Sequence, residues 1–453
     1  MNLYDLMQRR VTESGPIRVG VIGAGKFASM FLTQAAGQPE FHVVGVAELD
    51  PARAEAALER TGWDAARFGR IGLDEARRTG RTAVLADSAD LIASPHVEVV
   101  LEVTGNPLAG TRHALSAIEH GKHIIMVNVE ADCMVGPILK EKADAAGVVY
   151  SMAYGDQPAL IAEMVDWCRT VGYDVVAAGK GTKYLPEYED STPETVWQYY
   201  GLSEEQALAG GMNPQMFNSF IDGTKSAIEM AAVANATGLV PDPDGLRFPP
   251  VGVDDLPHRL IPQRLGGELP RSGTVEVVSS LHRDGGQIER DLRWGVYVTF
   301  KARTAYAAAC FSEYGVITDA SGEYASLYRP YHMIGMELGV SIASAVLRGE
   351  ATGAPRAFIG DVISIAKRDL VPGDVLDGEG GFTVRGALTS AERSLDARCL
   401  PMGLAHGATV VRPVAKGTPV GWDDVSLPAE TVAVEVRREL ESRARDARSA
   451  ANA

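Results

Sequence analysis

The sequence is poor in several features that would place it in a specialised class. It has four cysteines, Cys133, Cys168, Cys310 and Cys399, with no CxxC pair and no metal-type spacing. That excludes a disulfide-built scaffold or a thiolate metal site and fits free thiols in a reducing compartment. No apolar run approaches the length of a membrane span. The opening MNLYDLMQRR does not read as a signal peptide, because charge and Pro16 follow too soon. No internal repeat is evident. Positive charge is also short: 43 Lys and Arg against 59 Asp and Glu leave a net charge of −16. Such a chain is a poor non-specific partner for nucleic acid or an anionic membrane surface. A small phosphorylated or otherwise anionic substrate would need a local cluster of Lys and Arg working against the overall field. The expected compartment is the cytoplasm.

What is present is a chain of 453 residues, 46% hydrophobic. That is too long for one core, so two or three domains are expected. Near the start, Ile17–Ile22 (IRVGVI) reads as a buried strand. It runs directly into Gly23-Ala24-Gly25-Lys26-Phe27-Ala28 and then a helix through Ala36. This is the G-x-G-x-x-A form of the dinucleotide fingerprint. Gly23 makes the tight turn, Gly25 lets backbone amides approach a pyrophosphate at the helix N-terminus, and Ala28 keeps helix and strand close.

A second strand, Phe41–Ala47, ends in Glu48, about 20 residues beyond the fingerprint, where an acid would take the adenosine ribose hydroxyls of NAD. Arg53 follows and could instead hold the 2′-phosphate of NADP. Further strands at residues 97–103 and 123–127 end in Thr104-Gly105-Asn106 and Asn128-Val129-Glu130. Thr104, Gly105, Asn106, Asn128 and Glu130 would lie at the carboxyl edge of a parallel sheet, where such folds bind ligands. The same residues equally suit turns and helix caps. The charged segment 55–81 reads as helical and carries no evident chemistry.

The middle of the chain is organised around residues 213–237, NPQMFNSFIDGTKSAIEMAAVANAT. Read as one helix, it places Asn218, Asp222, Lys225 and Glu229 in one narrow polar stripe on an otherwise apolar surface. Charges do not point into a dry core without large cost, so the stripe faces either a wet cleft or a buried ion-pair network. Before it, Tyr154-Gly155-Asp156-Gln157-Pro158 opens a helix that Asp156 can cap. A strand then leads into Lys180-Gly181-Thr182-Lys183. Two lysines at a strand end suit anion binding or proton transfer, or are solvated at a sheet edge. Strand-like runs follow at residues 274–279, 293–300 and 305–311. Tyr328-Arg329-Pro330-Tyr331-His332 stands before a helix, an anion-friendly place. Arg329 has the fork that matches phosphate oxygens, or packs among aromatics; for His332 the packing role is the simpler one. From residue 355 short apolar runs alternate with Pro-Gly and Asp-Gly turns, a small β module, and residues 429–450 read as a charged helix or frayed tail.

Taken together, Gly23-x-Gly25, Val127-Asn-Val-Glu-Ala-Asp132, Gly155-Asp-Gln-Pro158, Gly179-Lys-Gly-Thr-Lys183, Phe220-Ile-Asp-Gly-Thr-Lys225 and Tyr328-Arg-Pro-Tyr-His332 resemble the DXR-like (DRL) oxidoreductases. The resemblance covers nearly the whole chain. It implies an α/β fold class: a Rossmann domain (residues 1–150), an α+β catalytic domain with an open mixed sheet (151–350), a β-clip module of SAF type (351–430) and a charged helical tail (431–453). It further implies homoserine dehydrogenase-like first domains, use of NADPH with NADH as the alternative, and, for one activity in the family, type II conversion of 1-deoxy-D-xylulose 5-phosphate to 2-C-methyl-D-erythritol 4-phosphate. Homoserine dehydrogenases use an Asp and a Lys on one helix beside the nicotinamide, and Asp222 and Lys225 match that pair in type. In this reading Lys225 polarises and protonates a carbonyl, Asp222 orients it, Lys180 or Lys183 shares the proton work, Arg329 holds a phosphate with His332 nearby, and Glu229 completes the network or ligates a divalent ion such as Mg²⁺ or Mn²⁺. No dedicated metal motif is present. A homo-oligomer is expected.

Overall fold

The computed structural model describes residues 2–209, 212–429 and 431–451. They form two compact units. One comprises Met1–Leu160 with Met333–Pro355, the other Ile161–His332 with Arg356–Ala453.

The first unit is a seven-stranded sheet. Its strands are β1 (Ile17–Ile22), β2 (Phe41–Ala47), β3 (Phe68–Gly69), β4 (Thr82–Leu85), β5 (Val99–Glu102), β6 (His123–Met126) and β7 (Tyr150–Met152). They lie in the order β3-β4-β2-β1-β5-β6-β7, and every pairing is parallel. All of β2 and β5 is buried, which is why these strands read as mainly apolar runs and not as alternations. The charged segment expected to be helical takes in the end of helix Pro51–Arg60 and all of Leu73–Thr79 but also β3, and β4 follows it. These two strands, of two and four residues, are too short to show a period. The core of this unit is completed from far along the chain: Leu338, Ile342, Ala343 and Ala345, in and beside the helix Gly339–Arg348, are enclosed with Val19, Val21 and Leu101.

The second unit holds a four-stranded sheet of β8 (Asp174–Thr182), β9 (Thr274–Ser279), β10 (Val296–Lys301) and β11 (Tyr324–Arg329), ordered β11-β10-β8-β9. Only β8 and β9 run parallel, so the sheet is mixed, as expected. The run 305–311, read as a strand, is instead the helix Ala305–Glu313. Its AYAAAC run favours helix, and Thr304 caps it by accepting the Ala307 N–H. The C-terminal module has two antiparallel pairs, β12 (Gly360–Ala366) with β13 (Val384–Ser390) and β14 (Thr409–Val410) with β15 (Val425–Ser426). The charged tail is the ordered helix Val432–Ala451.

The central stretch is not one helix. It is two, Pro214–Ile221 and Thr224–Thr237, broken at Asp222-Gly223. Gly223 sits at φ +86°, a left-handed conformation that glycine adopts without strain. Asp222 closes the first helix and its Oδ1 accepts the Thr224 N–H at 3.0 Å. The second helix packs against β8 and β9 and also against β12 and β13. Sandwiched between two β layers, it buries every residue except Lys225, which is half-buried.

Candidate functional site

The nucleotide motif takes the form its spacing predicts. Gly23 has φ +103°, and the helix Lys26–Ala35 starts immediately after Gly25. A Cβ added to Gly25 would meet nothing within 4 Å, so the helix N-terminus opens onto free space of the kind a pyrophosphate fills. Ala28 is fully buried against the sheet, Phe27 packs on the core edge and Lys26 is exposed. Glu48 lies at the end of β2 with Oε2 accepting the Ala24 N–H at 3.0 Å. Its carboxylate therefore sits beside the glycine loop. Arg53 is 64% exposed, with its guanidinium 3.7 Å from Glu48. The residues fit a nicotinamide dinucleotide.

At the carboxyl edge, Asn106 and Asn128 cap helices Pro107–Glu119 and Val129–Ala145. Asn128 also donates to the Asn106 carbonyl at 2.9 Å and to Thr104 Oγ1 at 3.4 Å. Thr104, Asn106 and Asn128 are thus tied together around Gly105, whose φ is +66°. Glu130 lies in the first turn of the second of these helices. Sequence reading missed Glu102, the end of β5, which is fully buried. It accepts from Thr104 Oγ1 at 2.6 Å and contacts His113 Nδ1 at 3.1 Å. A charged residue closing the apolar run VVLE was the available signal. Asp132 is likewise buried, accepting the Tyr150 hydroxyl at 2.7 Å, and burial pushes its carboxyl up to about 7.

In the second unit the motif around Lys180 is explained by close packing. A Cβ on Gly179 would lie 1.7 Å from the Glu276 carbonyl oxygen, and one on Gly181 would lie 1.9 Å from that of Leu292. Only glycine fits at either place. Lys180, between them, is buried and paired with Glu229 of the helix Thr224–Thr237. In the sheet register Lys180 stands opposite Val296, and Val296 opposite Arg329. Residues opposite one another across strands project to one face. Lys180 and Arg329 are therefore in one row on one face, about 10 Å apart.

Other cations gather at the same end of β8. Lys183 donates to the Tyr199 carbonyl, and burial, aided by the charge of Arg293, lowers its pKa. Arg293 lies over the Trp294 indole at 4.7 Å, and Gly295 accepts the Gly181 N–H at 3.1 Å. His332 Nδ1 is 2.8 Å from the Trp294 carbonyl, and Arg329 lies over the Tyr331 ring at 5.6 Å. Lys183, Arg293, Arg329 and His332 thus share one basic corner in an acidic chain. Arg293 was not singled out in the sequence, because nothing in its neighbours marks it. The expected helix N-terminus beside Arg329 is not there. Arg329 ends β11, and the next helix begins only at Gly339.

The polar stripe resolves mainly into the buried network, not an open cleft face. Asn218 bonds Ser191 and the Gly380 carbonyl. Asp222, fully buried, pairs at 2.6 Å with Lys367. Glu229 pairs with Lys180. Asp222 therefore has its counter-charge in Lys367, where the sequence reading had it orient Lys225. The break at Gly223 also removes the continuous helix face on which that reading placed the pair. Lys225 is the stripe residue left half-exposed. Among the described residues no group of three or more His, Cys, Asp or Glu is arranged to hold a metal ion.

Fold and site define a class: the chain carries the domains of an NAD(P)-dependent oxidoreductase. Comparison with known families makes this specific. Residues 17–126 match the oxidoreductase family with an NAD-binding Rossmann fold, residues 155–338 the catalytic domain of oxidoreductase DRL, and residues 364–426 the SAF domain. The DRL resemblance read from the motifs is borne out. A homoserine dehydrogenase of Pseudomonas aeruginosa is 28% identical over 144 residues, 30% of this chain and 28% of that protein. A 3-ketoreductase from Actinomadura kijaniata, solved with NADP, is 19% identical, covering 37% of this chain and 49% of its own, with a TM-score of 0.25. A myo-inositol dehydrogenase from Lactobacillus casei, solved with NAD(H) and myo-inositol, is 18% identical over 40% of this chain and 50% of its own, with a TM-score of 0.28. The chain thus spans about a quarter of the curated relative and about half of these solved chains. No helix among the described residues is long and apolar enough to cross a membrane.

Proposed function

We propose that this chain is a nicotinamide-dependent reductase of a small phosphorylated keto-sugar, with 1-deoxy-D-xylulose 5-phosphate as the first candidate and NADPH or NADH as reductant. The observation that carries the reading is the basic corner of Lys183, Arg293, Arg329 and His332 beside the buried Lys180–Glu229 pair, within a DRL catalytic domain. In a chain of net charge −16, four cationic or ionisable bases at one strand end favour an anionic substrate. Arg329 and Arg293 bind the phosphate oxygens. Lys225, half-exposed among buried neighbours, donates a proton to the substrate carbonyl oxygen. Lys183, whose proton is loosened by burial, is a second donor. Lys180 and Glu229 hold each other in place and fix the helix against β8. When bound, the nicotinamide supplies the hydride. Gly23, Gly25 and Glu48 hold the dinucleotide. Glu229 is the residue that would ligate a divalent ion, which would supply Lewis-acid charge to a skeletal rearrangement.

A second reading, a homoserine dehydrogenase-like or polyol-phosphate dehydrogenase without rearrangement, is favoured by the 28% identity to the homoserine dehydrogenase. One assay separates the two. Cofactor oxidation is followed with NADPH and NADH in parallel, with 1-deoxy-D-xylulose 5-phosphate, with and without Mg²⁺ or Mn²⁺. Metal-dependent turnover to the branched polyol phosphate, lost in Lys225→Ala, is the expected result. No turnover by protein that binds cofactor rejects this substrate, and metal-free oxidation of a hydroxy acid selects the second reading.

A further inference from the structure

The proposed chemistry leaves one buried cation without a role. Lys367 directly follows β12, inside the SAF match, and is 7% exposed. Its ammonium donates at 2.6 Å to Asp222 Oδ2, at 2.7 Å to the Ser191 carbonyl and at 3.0 Å to the Gly381 carbonyl. An ammonium has three donors, so each is used. Asp222 is fully buried. Removing two charges from water is costly, and apolar contacts would join two layers at lower cost. An ion pair at this place therefore calls for a reason beyond adhesion.

The same module grips the helix break from both sides. Gln215 Nε2 donates to the carbonyls of Asp377 and Glu379 at 3.0 and 2.9 Å, and Asn218 Nδ2 to that of Gly380 at 2.9 Å. Beyond the break, the Gly386 N–H donates to Thr224 Oγ1 at 2.8 Å. Thr224 and Lys225 are the first two residues of the second helix. The conformation that sets where Lys225 begins is held by the C-terminal module, with Lys367 at its centre.

We propose that Lys367 is a positioning residue of the active site: it anchors the Asp222 side chain at the helix break, and through that break it places Lys225. The SAF module is on this account a working part of the catalytic site. The proposal rests on the reading of Lys225 as proton donor. Other charged groups on the segments packed here are Asp377 and Glu379 on the loop of Gly381, the Glu189–Arg385 pair, the Asp190–Lys416 pair beside Ser191, and Lys225 itself. Asp377 is already engaged, by the Phe382 and Thr383 amides and the Thr383 hydroxyl.

The test uses full-length Lys367→Met, Asp222→Asn, the double variant and Lys367→Arg. Stability comes first. In Lys367→Met a buried carboxylate is left without its cation, and an uncompensated buried anion costs more stability as pH rises. The drop in Tm is expected to be larger at about pH 8 than at about pH 5. In Asp222→Asn a buried ammonium is left without its anion, so the drop is larger at the lower pH. The double variant loses both dependences. Positioning is read at Lys225 itself, by competitive acetylation with acetic anhydride and peptide mass analysis, which needs no substrate. A change of about threefold or more in Lys225 reactivity is expected in Lys367→Met and in Asp222→Asn, with Lys367→Arg nearer the parent. In turnover, kcat falls about tenfold or more, with cofactor Kd unchanged. Equal Tm losses at both pH values with unchanged Lys225 reactivity would mean a passive staple and overturn the proposal. Because the acetylation arm uses no substrate, a wrong substrate class shows as absent turnover in the parent protein, while altered Lys225 reactivity still upholds the positioning role.

Discussion

Replacing Arg437 by methionine tests whether the C-terminal helix is part of the fold or an appendage. Arg437 lies in Val432–Ala451 and is fully buried. Its guanidinium forks onto Asp361 of β12, with Nη1 to Oδ1 at 2.9 Å and Nη2 to Oδ2 at 2.5 Å, and its Nε reaches Glu441 at 2.9 Å. The Phe358 ring lies 4.9 Å from its charge centre. Methionine keeps most of the apolar stem but strands the Asp361 carboxylate, 1% exposed, whereas Glu441 keeps Arg445 at 3.2 Å. Losing one partner of a buried pair costs about 3–5 kcal/mol, and the pair lost here is Asp361 with its only cation in the fork. At about 2–4 °C per kcal/mol for a unit of this size, Tm should fall by roughly 6–20 °C. The assay is thermal unfolding followed by circular dichroism. A companion variant, Arg437→Met with Asp361→Leu and Glu441→Leu, should recover most of the loss, because a well-packed apolar trio replaces the charges at little net cost. A loss under about 1 kcal/mol in the single variant would refute the claim that this pair docks the helix.

Three further outcomes are expected. Gly223→Ala should destabilise by about 1 kcal/mol or more, because its φ of +86° strains any side chain; an unchanged urea midpoint would show that the helix break relaxes freely. Glu48→Gln should move the ratio of NADPH to NADH affinity about tenfold toward NADPH, since it removes a negative charge beside the loop that would receive the adenosine ribose; titration of both cofactors by fluorescence reads this, and an unaltered ratio contradicts it. Glu276 is fully buried, and burial raises its pKa to about 7 from about 4.5. Its folded value lies above its unfolded one, so the stability it contributes is full below about 4.5 and is lost as pH rises to about 7, by about 3 kcal/mol in all. Glu276→Gln should flatten that part of the curve of unfolding free energy against pH, and an equal slope in both proteins would count against it.

The nucleotide-binding half was legible because its signals are local: an apolar strand, glycines at fixed offsets and an acid at the end of the next strand. Lys180 and Lys183 were legible for the same reason, but the cause of the glycines beside them was not. It lies in carbonyls of Glu276 and Leu292, about a hundred residues away in sequence. The stripe of Asn218, Asp222, Lys225 and Glu229 was legible as facing either a wet cleft or a buried network, and the structure buries Asn218, Asp222 and Glu229. The partner of Asp222 was invisible, because Lys367 is a lone lysine in a turn-rich stretch with no periodicity to mark its direction. The single-helix reading failed at one residue. Gly223 is tolerated inside a helical pattern in most contexts, and only the capping bond from Asp222 to Thr224 makes it a break.

The nucleotide-binding unit is assembled from two stretches of chain separated by the catalytic segment. Its last core residues, around Ile342 and Ala345, leave the ribosome nearly two hundred residues after Leu160. At common synthesis rates that is a delay of ~10–40 s, during which the apolar surface beneath the helix Gly339–Arg348 has no cover. The nascent chain is therefore a natural client for chaperones over that interval. A fragment ending at Leu160 would expose the same surface permanently, whereas joining Leu160 to Met333 through a short linker would restore the unit for separate expression.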